Sequence, residues 1–169
     1  MNSNHPIYSI IHRPKPSKNH TLKKKVYYRE GIDIWSPQLC SDMAKYGIVN
    51  CKSLILQFPT NLPKPLVRHF IRGYFDGDGT VGVYDGQLKF RITSSPMFAN
   101  SLQDILIGEL GLSKTKLNEE GQARSLSYSG NRQVSKILDY LYAGATIYLA
   151  RKKDKSRLPG NISAKDRYD

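Results

Sequence analysis

Leu66-Val67-Arg68-His69-Phe70-Ile71-Arg72-Gly73-Tyr74-Phe75-Asp76-Gly77-Asp78-Gly79-Thr80-Val81 is the stretch around which the chain is organised. Pro63 and Pro65 stand where a helix can begin but not continue. At about 3.6 residues per turn, Leu66, Phe70, Gly73 and Gly77 fall on one narrow stripe. Val67, Ile71, Tyr74 and Phe75 form a second apolar stripe, and Arg68, His69, Arg72 and Asp76 take the remaining arc. A surface helix needs only one apolar stripe, so this one is expected to be covered on two sides, by its own domain and by something else. Each mid-helix glycine costs roughly 1 kcal/mol against alanine. Gly73 and Gly77 on one seam therefore suggest close approach of a second helix backbone.

The helix runs out in Asp76-Gly77-Asp78-Gly79, and three readings of that turn compete. It is a solvated helix end, a calcium loop, or a divalent-metal site for phosphodiester hydrolysis. The calcium loop fails on register. With Gly79 at the required loop glycine, Tyr74 takes the first ligand position and Asp85 the last, where a bidentate Glu belongs. The seam of glycines and the charge of the chain favour the hydrolytic site over the solvated end.

Ile71 to Gly79 resembles the LAGLIDADG motif of homing endonucleases, with Gly73, Asp76, Asp78 and Gly79 at matching positions and Gly77 as the permitted small residue. The resemblance implies an α+β fold of αββαββα repeats, with motif helices packed together at the centre and curved antiparallel sheets gripping double-stranded DNA. It implies that Asp78 binds a catalytic Mg²⁺, which activates a water and stabilises charge on the scissile phosphate. Asp76 is expected to order the turn. Family enzymes also use a basic residue just after the last helix of the repeat. Arg151 and Lys152 stand there in this chain, and Lys52 holds the equivalent place further upstream. Ser94 occupies the end of the second strand, where the family often has a longer polar residue that holds a water.

The 169 residues include 26 Lys and Arg against 14 Asp and Glu, a net charge of +12. That length suits one ordinary domain or one and a half small ones. The basic excess points to a polyanionic partner, nucleic acid before membrane, since no apolar run approaches the roughly 18 residues of a spanning helix. Cys40 and Cys51 are too few for a disulfide framework or a zinc site. His5, His12, His20 and His69 lie in no metal-ligand spacing. The polar N-terminus shows no signal peptide, and a soluble intracellular protein of cytoplasm or nucleoid is expected.

Along the chain, Ile7 to Ile11 suits a strand, and Arg13 to His20 a basic, proline-bearing loop. Lys24 to Arg29 alternates, placing Lys25, Tyr27 and Arg29 on one basic-aromatic face. Ser36-Pro37 starts a helix that ends at Gly47. Beyond the central helix, Thr80–Tyr84 and Gln87–Thr93 flank Asp85-Gly86, a two-residue hairpin signal. Leu88, Phe90 and Ile92 share one face of the second strand. Gln87, Lys89, Arg91 and Thr93 share the other, a face suited to a DNA groove. Ser95-Pro96 starts a helix stopping at Gly111. Lys114–Asn118 and Ala123–Ser129 make a second hairpin, and Val134, Ile137, Leu138, Leu141 and Tyr142 mark an amphipathic helix.

From Leu66 this order spells αββαββα, one whole repeat. What precedes it spells only ββα, the back half of another. Residues 1–60 are accordingly expected to form a partial repeat and linker, 61–157 the full repeat, and 158–169 a tail. Site-specific, metal-dependent DNA cleavage by an endonuclease of an intron or other mobile element is the expected function. One motif helix per chain implies a homodimer, or pairing with a separately encoded half. A catalytically inactive nucleic-acid-binding remnant, an RNA maturase on the same scaffold, and a basic scaffold subunit of a ribonucleoprotein remain as alternatives.

Overall fold

The computed structural model describes residues 6–12, 27–50 and 52–157. They fall into two compact units that divide after Ser41. In the first, β1 (Tyr8–His12) and β2 (Tyr27–Gly31) pair antiparallel, with Tyr8 opposite Gly31 and His12 opposite Tyr27. The Tyr8 hydroxyl donates to Asp33 at 2.9 Å. Helix α1 (Pro37–Ala44) starts as the sequence indicates. Ser36 Oγ accepts from the Leu39 N–H at 3.1 Å, satisfying one of the donors that a helix start leaves open. No residue of α1 is buried.

The second unit carries α2 (Lys64–Asp78), β3 (Thr80–Tyr84), β4 (Gln87–Ser94), α3 (Pro96–Leu110), β5 (Asn118–Glu120), β6 (Ala123–Ser129), α4 (Asn131–Tyr142) and the short α5 (Ala150–Lys153). Four antiparallel strands form one sheet in the order β3-β4-β6-β5. Asp85 and Gly86 both take positive φ, 51° and 72°, the two left-handed positions that a tight two-residue hairpin demands. Helix α3 is capped by Ser95, whose Oγ accepts from the Phe98 N–H at 3.1 Å, and it ends on Gly111 in the left-handed region at φ 61°. The fold is α+β, and its sequential order from α2 to α4 is αββαββα.

Period-two alternation puts Leu88, Phe90 and Ile92 of β4 opposite Leu126 and Tyr128 of β6 on one buried face. Helices α2, α3 and α4 all pack there. Phe75 of α2 stacks on Phe90 with ring centroids 4.6 Å apart, both rings fully buried. Removing such rings from water is worth about 1.5–3 kcal/mol each. The five apolar residues expected on α4 are all buried. On the opposite face of β4, Gln87, Lys89 and Arg91 are exposed.

One expectation needs correction. Lys114 to Leu117 is not strand, and β5 begins only at Asn118. Gln103 Nε2 donates to the Thr115 carbonyl at 2.8 Å, and the Thr115 hydroxyl to the Ser127 carbonyl at 3.3 Å. Side-chain hydrogen bonds thus hold this segment in place of a ladder. The polar arc of α2 is not all at the surface. Arg72 lies there but is buried at 8% exposure, donating to the carbonyls of Leu141 at 3.0 Å and Ile147 at 2.9 Å. It supplies the end of α4 with donors that the helix itself lacks. Arg72 and Asp76 make their part of the arc an internal contact surface of the unit.

Candidate active site

The tip of α2 is held from three directions. Lys152 on α5 is only 3% exposed, and its ammonium donates to the carbonyls of Phe75, Asp76 and Gly79, the Asp76 contact measuring 3.0 Å. The last carbonyls of a helix have no intrahelical partner, and they form the negative end of its dipole, so a cation there is stabilising. The same ammonium lies 4.8 Å from the centroid of the Phe75 ring. Burial, and then Arg151 beside it, push the Lys152 pKa down, while Asp76 and Asp78 pull it back up.

Asp76 is engaged on both oxygens. Tyr142 donates its hydroxyl to Oδ1 at 2.6 Å, and the Leu149 N–H donates to Oδ2 at 3.0 Å. Burial and then the Asp76 contact push the Tyr142 pKa far up, so the phenol remains a donor. Gly79 then turns the chain into β3, and a Cβ at that position would lie 2.8 Å from the Phe75 carbonyl oxygen and closer still to its ring. Only glycine lets the strand leave so near the helix end.

Asp78 differs from Asp76 in exposure and in its contacts. It is the last residue of α2, it is exposed, and its carboxylate makes no hydrogen bond or ion pair among the described residues. It opens onto a pocket of about 190 Å³ shared with Ser53, Leu54, Leu56, Tyr74, Thr93, Ser94 and Ala123. Within that pocket the Tyr74 hydroxyl donates to Ser94 Oγ at 2.9 Å, and the Tyr74 ring stacks on Phe98 with centroids 4.4 Å apart. Burial raises the Tyr74 pKa, the Ser94 hydrogen bond lowers it, and Asp78 raises it further.

The Leu66-Phe70-Gly73-Gly77 stripe runs down to this tip. Gly73 and Gly77 are exposed, and a Cβ on either would meet nothing within 4 Å. Leu66 is 49% exposed. Phe70 is half-buried, its ring edge-on to Phe58 at 5.2 Å between centroids. Most of the stripe is therefore left uncovered by the described residues.

On the outer face of the sheet, Gln87, Lys89 and Arg91 are exposed and Thr93 is half-buried. Lys89 Nζ stands 5.4 Å from the centroid of the Tyr84 ring. Arg91 donates from Nε to Ser125 Oγ at 2.6 Å and from Nη2 to Glu120 Oε1.

Residues 65–142 match the family described as LAGLIDADG-like domain. The match opens inside α2 and closes on the last residue of α4, so it spans the αββαββα order. Over these residues the chain is similar to the LAGLIDADG family. Among curated proteins, none matches the chain. LAGLIDADG proteins are homing endonucleases or maturases, generally nucleases, which bind DNA and often dimerise. No helix among the described residues is long and apolar enough to cross a membrane.

Of the residues singled out in the sequence, Asp78, Thr93 and Ser94 line one pocket, with Lys152 behind the helix tip. Arg151 is exposed on α5. Lys52 opens a short 3-10 turn, placed by its backbone alone, and the next two residues, Ser53 and Leu54, line the Asp78 pocket. Tyr27 and Arg29 lie on β2, also by backbone alone, and Lys25 is outside the described residues. Sequence reading did not find Tyr74 and Tyr142 as polar contributors, because each sits in an apolar helical pattern and its hydroxyl reaches a partner distant in sequence. Magnesium in phosphodiester chemistry keeps several waters and takes one or two carboxylates together with phosphate oxygens. Asp78 suits one such ligand position. Asp76, bonded on both oxygens, does not. No group of three or more His, Cys, Asp or Glu able to hold a metal gathers among the described residues.

Proposed function

We propose that this chain is a homing endonuclease of an intron or other mobile element, hydrolysing phosphodiester bonds at a specific duplex DNA site with Mg²⁺. The observation that carries the reading is the division of roles within one turn: Asp76 bonded on both oxygens, Asp78 exposed at the tip. Asp78 is the residue that would hold the metal, which when bound supplies an activated water and charge stabilisation at the phosphate. Lys152 keeps the tip from fraying and so fixes where the Asp78 carboxylate stands. Arg151, exposed beside it, is assigned to the phosphate, as is Lys52. Gln87, Lys89, Arg91 and Thr93, with Lys25, Tyr27 and Arg29, are assigned to the DNA groove and backbone.

Two motif helices are needed to bring two such carboxylates to the two strands. The uncovered Gly73/Gly77 stripe is suited to the second helix, from another copy or from a separately encoded half. In this reading residues 1–60 are the back half of a repeat with its linker, 61–157 the full repeat, and 158–169 a tail. The test is a plasmid-library cleavage assay with purified protein, with and without Mg²⁺, alongside its mass in solution. Metal-dependent cutting by a dimer or hetero-pair is expected. A protein that binds duplex DNA and never cuts favours the second reading, a binding remnant or RNA maturase, for which the presence of one motif helix speaks.

A further inference from the structure

An acidic residue stands on the face assigned to DNA. Glu120 ends β5 at the sheet edge, and both its oxygens are turned onto neighbours from β4: Oε1 accepts from Arg91 Nη2, and Oε2 accepts from the Thr93 hydroxyl at 3.1 Å. Arg91 is also held by Ser125 of β6, through Nε at 2.6 Å. A carboxylate facing a polyanion opposes binding, so its presence calls for a specific use.

The geometry of the guanidinium supplies one. Nε–H and one Nη2–H lie along the same side of the planar group, and Ser125 and Glu120 take both. The remaining three N–H groups make no hydrogen bond among the described residues. They include the pair at the far end of the fork, which matches the two acceptors, O6 and N7, on the major-groove edge of guanine. An unrestrained arginine on a strand sweeps many positions and meets phosphates as readily as bases. One fixed along its side edge presents its end edge in a single orientation.

We propose that Glu120 is a positioning residue for base recognition: it holds Arg91 so that the guanidinium reads one guanine, accepting weaker overall DNA affinity in return. This rests on the reading of the chain as a DNA-binding endonuclease. Arg91 on its own could serve as a phosphate contact; what Glu120 adds is discrimination.

The experiment selects bound sequences from a randomised duplex library with EDTA present, using wild type, Glu120→Gln and Arg91→Lys, each checked by thermal melt. Wild type is expected to enrich one guanine position that both variants lose, discrimination there falling about tenfold, within the range for one bidentate pair. Glu120→Gln is also expected to bind random duplex more tightly than wild type, because a negative charge has left the face. A purely structural brace would move stability and leave base preference in place. If both variants keep the wild-type preference, or if Glu120→Gln binds random duplex more weakly, the inference is overturned and DNA binding stands. If wild type binds no duplex, the proposed function falls and the inference with it.

Discussion

The Tyr142 hydroxyl donates to Asp76 at 2.6 Å, joining the end of α4 to the last turn of α2. Together with the Leu149 N–H it uses both oxygens of that carboxylate and leaves Asp78, two residues on, as the exposed acid of the turn. The motif turn therefore contains one structural and one exposed carboxylate, separated by what packs behind them.

This bond makes a pH prediction. The Tyr142 pKa is raised above the ordinary phenol value of 10.0, first by burial and then by Asp76. A group with a raised folded pKa contributes its full stability below the unfolded value and loses it as pH rises toward the folded one. Above pH 10 the unfolded chain releases this proton first, and stability should fall by about 1.4 kcal/mol per pH unit for that group. Lys152, with a lowered pKa, acts in the opposite sense as pH rises. The informative quantity is thus the difference between wild type and Tyr142→Phe in urea unfolding from pH 9 to 11. The variant should start less stable and lose less; parallel curves would remove Tyr142 from the account.

Lys152 should behave as a structural cation. Lys152→Met keeps the stem on Phe75 but removes donors to three carbonyls; hydrogen bonds to a charged group are worth about 1.5–3 kcal/mol each, offset here by relief of the cost of burying the ammonium. A loss of roughly 2–4 kcal/mol in chemical denaturation is expected, with faster amide exchange at Gly79. An unchanged melting temperature would mean that the helix tip does not need this ammonium.

The stripe gives opposite signs for folding and assembly. Gly73 is exposed and nothing stands within 4 Å of a Cβ there. Gly73→Leu should therefore leave the isolated chain folded, even stabilised by up to about 1 kcal/mol through helix propensity. Between two packed helices the same side chain would hold the backbones apart, at a cost of about 1–3 kcal/mol or more. Sedimentation of wild type and variant separates the two effects. A variant that associates as well as wild type contradicts the helix seam.

How far the sequence could be read follows from how local each signal is. The β3–β4 hairpin and α3 rest on neighbouring residues: Asp85-Gly86 for the turn, alternation through Gln87–Thr93, Ser95-Pro96 and Gly111 for the helix ends. They are found where those residues place them. The buried role of Arg72 was not legible, because its acceptors, the carbonyls of Leu141 and Ile147, lie some seventy residues away. Lys114 to Leu117 alternates like a strand, but Gln103 and Ser127 anchor Thr115 and the ladder starts later. Arg151 and Lys152 are indistinguishable as sequence; packing alone buries the second and exposes the first. Asp76 and Asp78 were told apart through the motif resemblance, and the bonds from Tyr142 and Leu149 give the physical reason for the difference.

The central claim is that Asp78, and not Asp76, carries the metal chemistry. It is tested most directly by Mg²⁺-dependent cleavage of a plasmid target library with wild type, Asp78→Asn and Asp76→Asn, each with its melting temperature and duplex affinity. The account predicts that Asp78→Asn melts and binds as wild type does but cuts at least a hundredfold more slowly, roughly the loss that follows removal of one charged contact to a reacting centre. Asp76→Asn should instead melt lower, its bonds to Tyr142 and Leu149 weakened. An Asp78→Asn protein that still cuts at the wild-type rate would contradict the account.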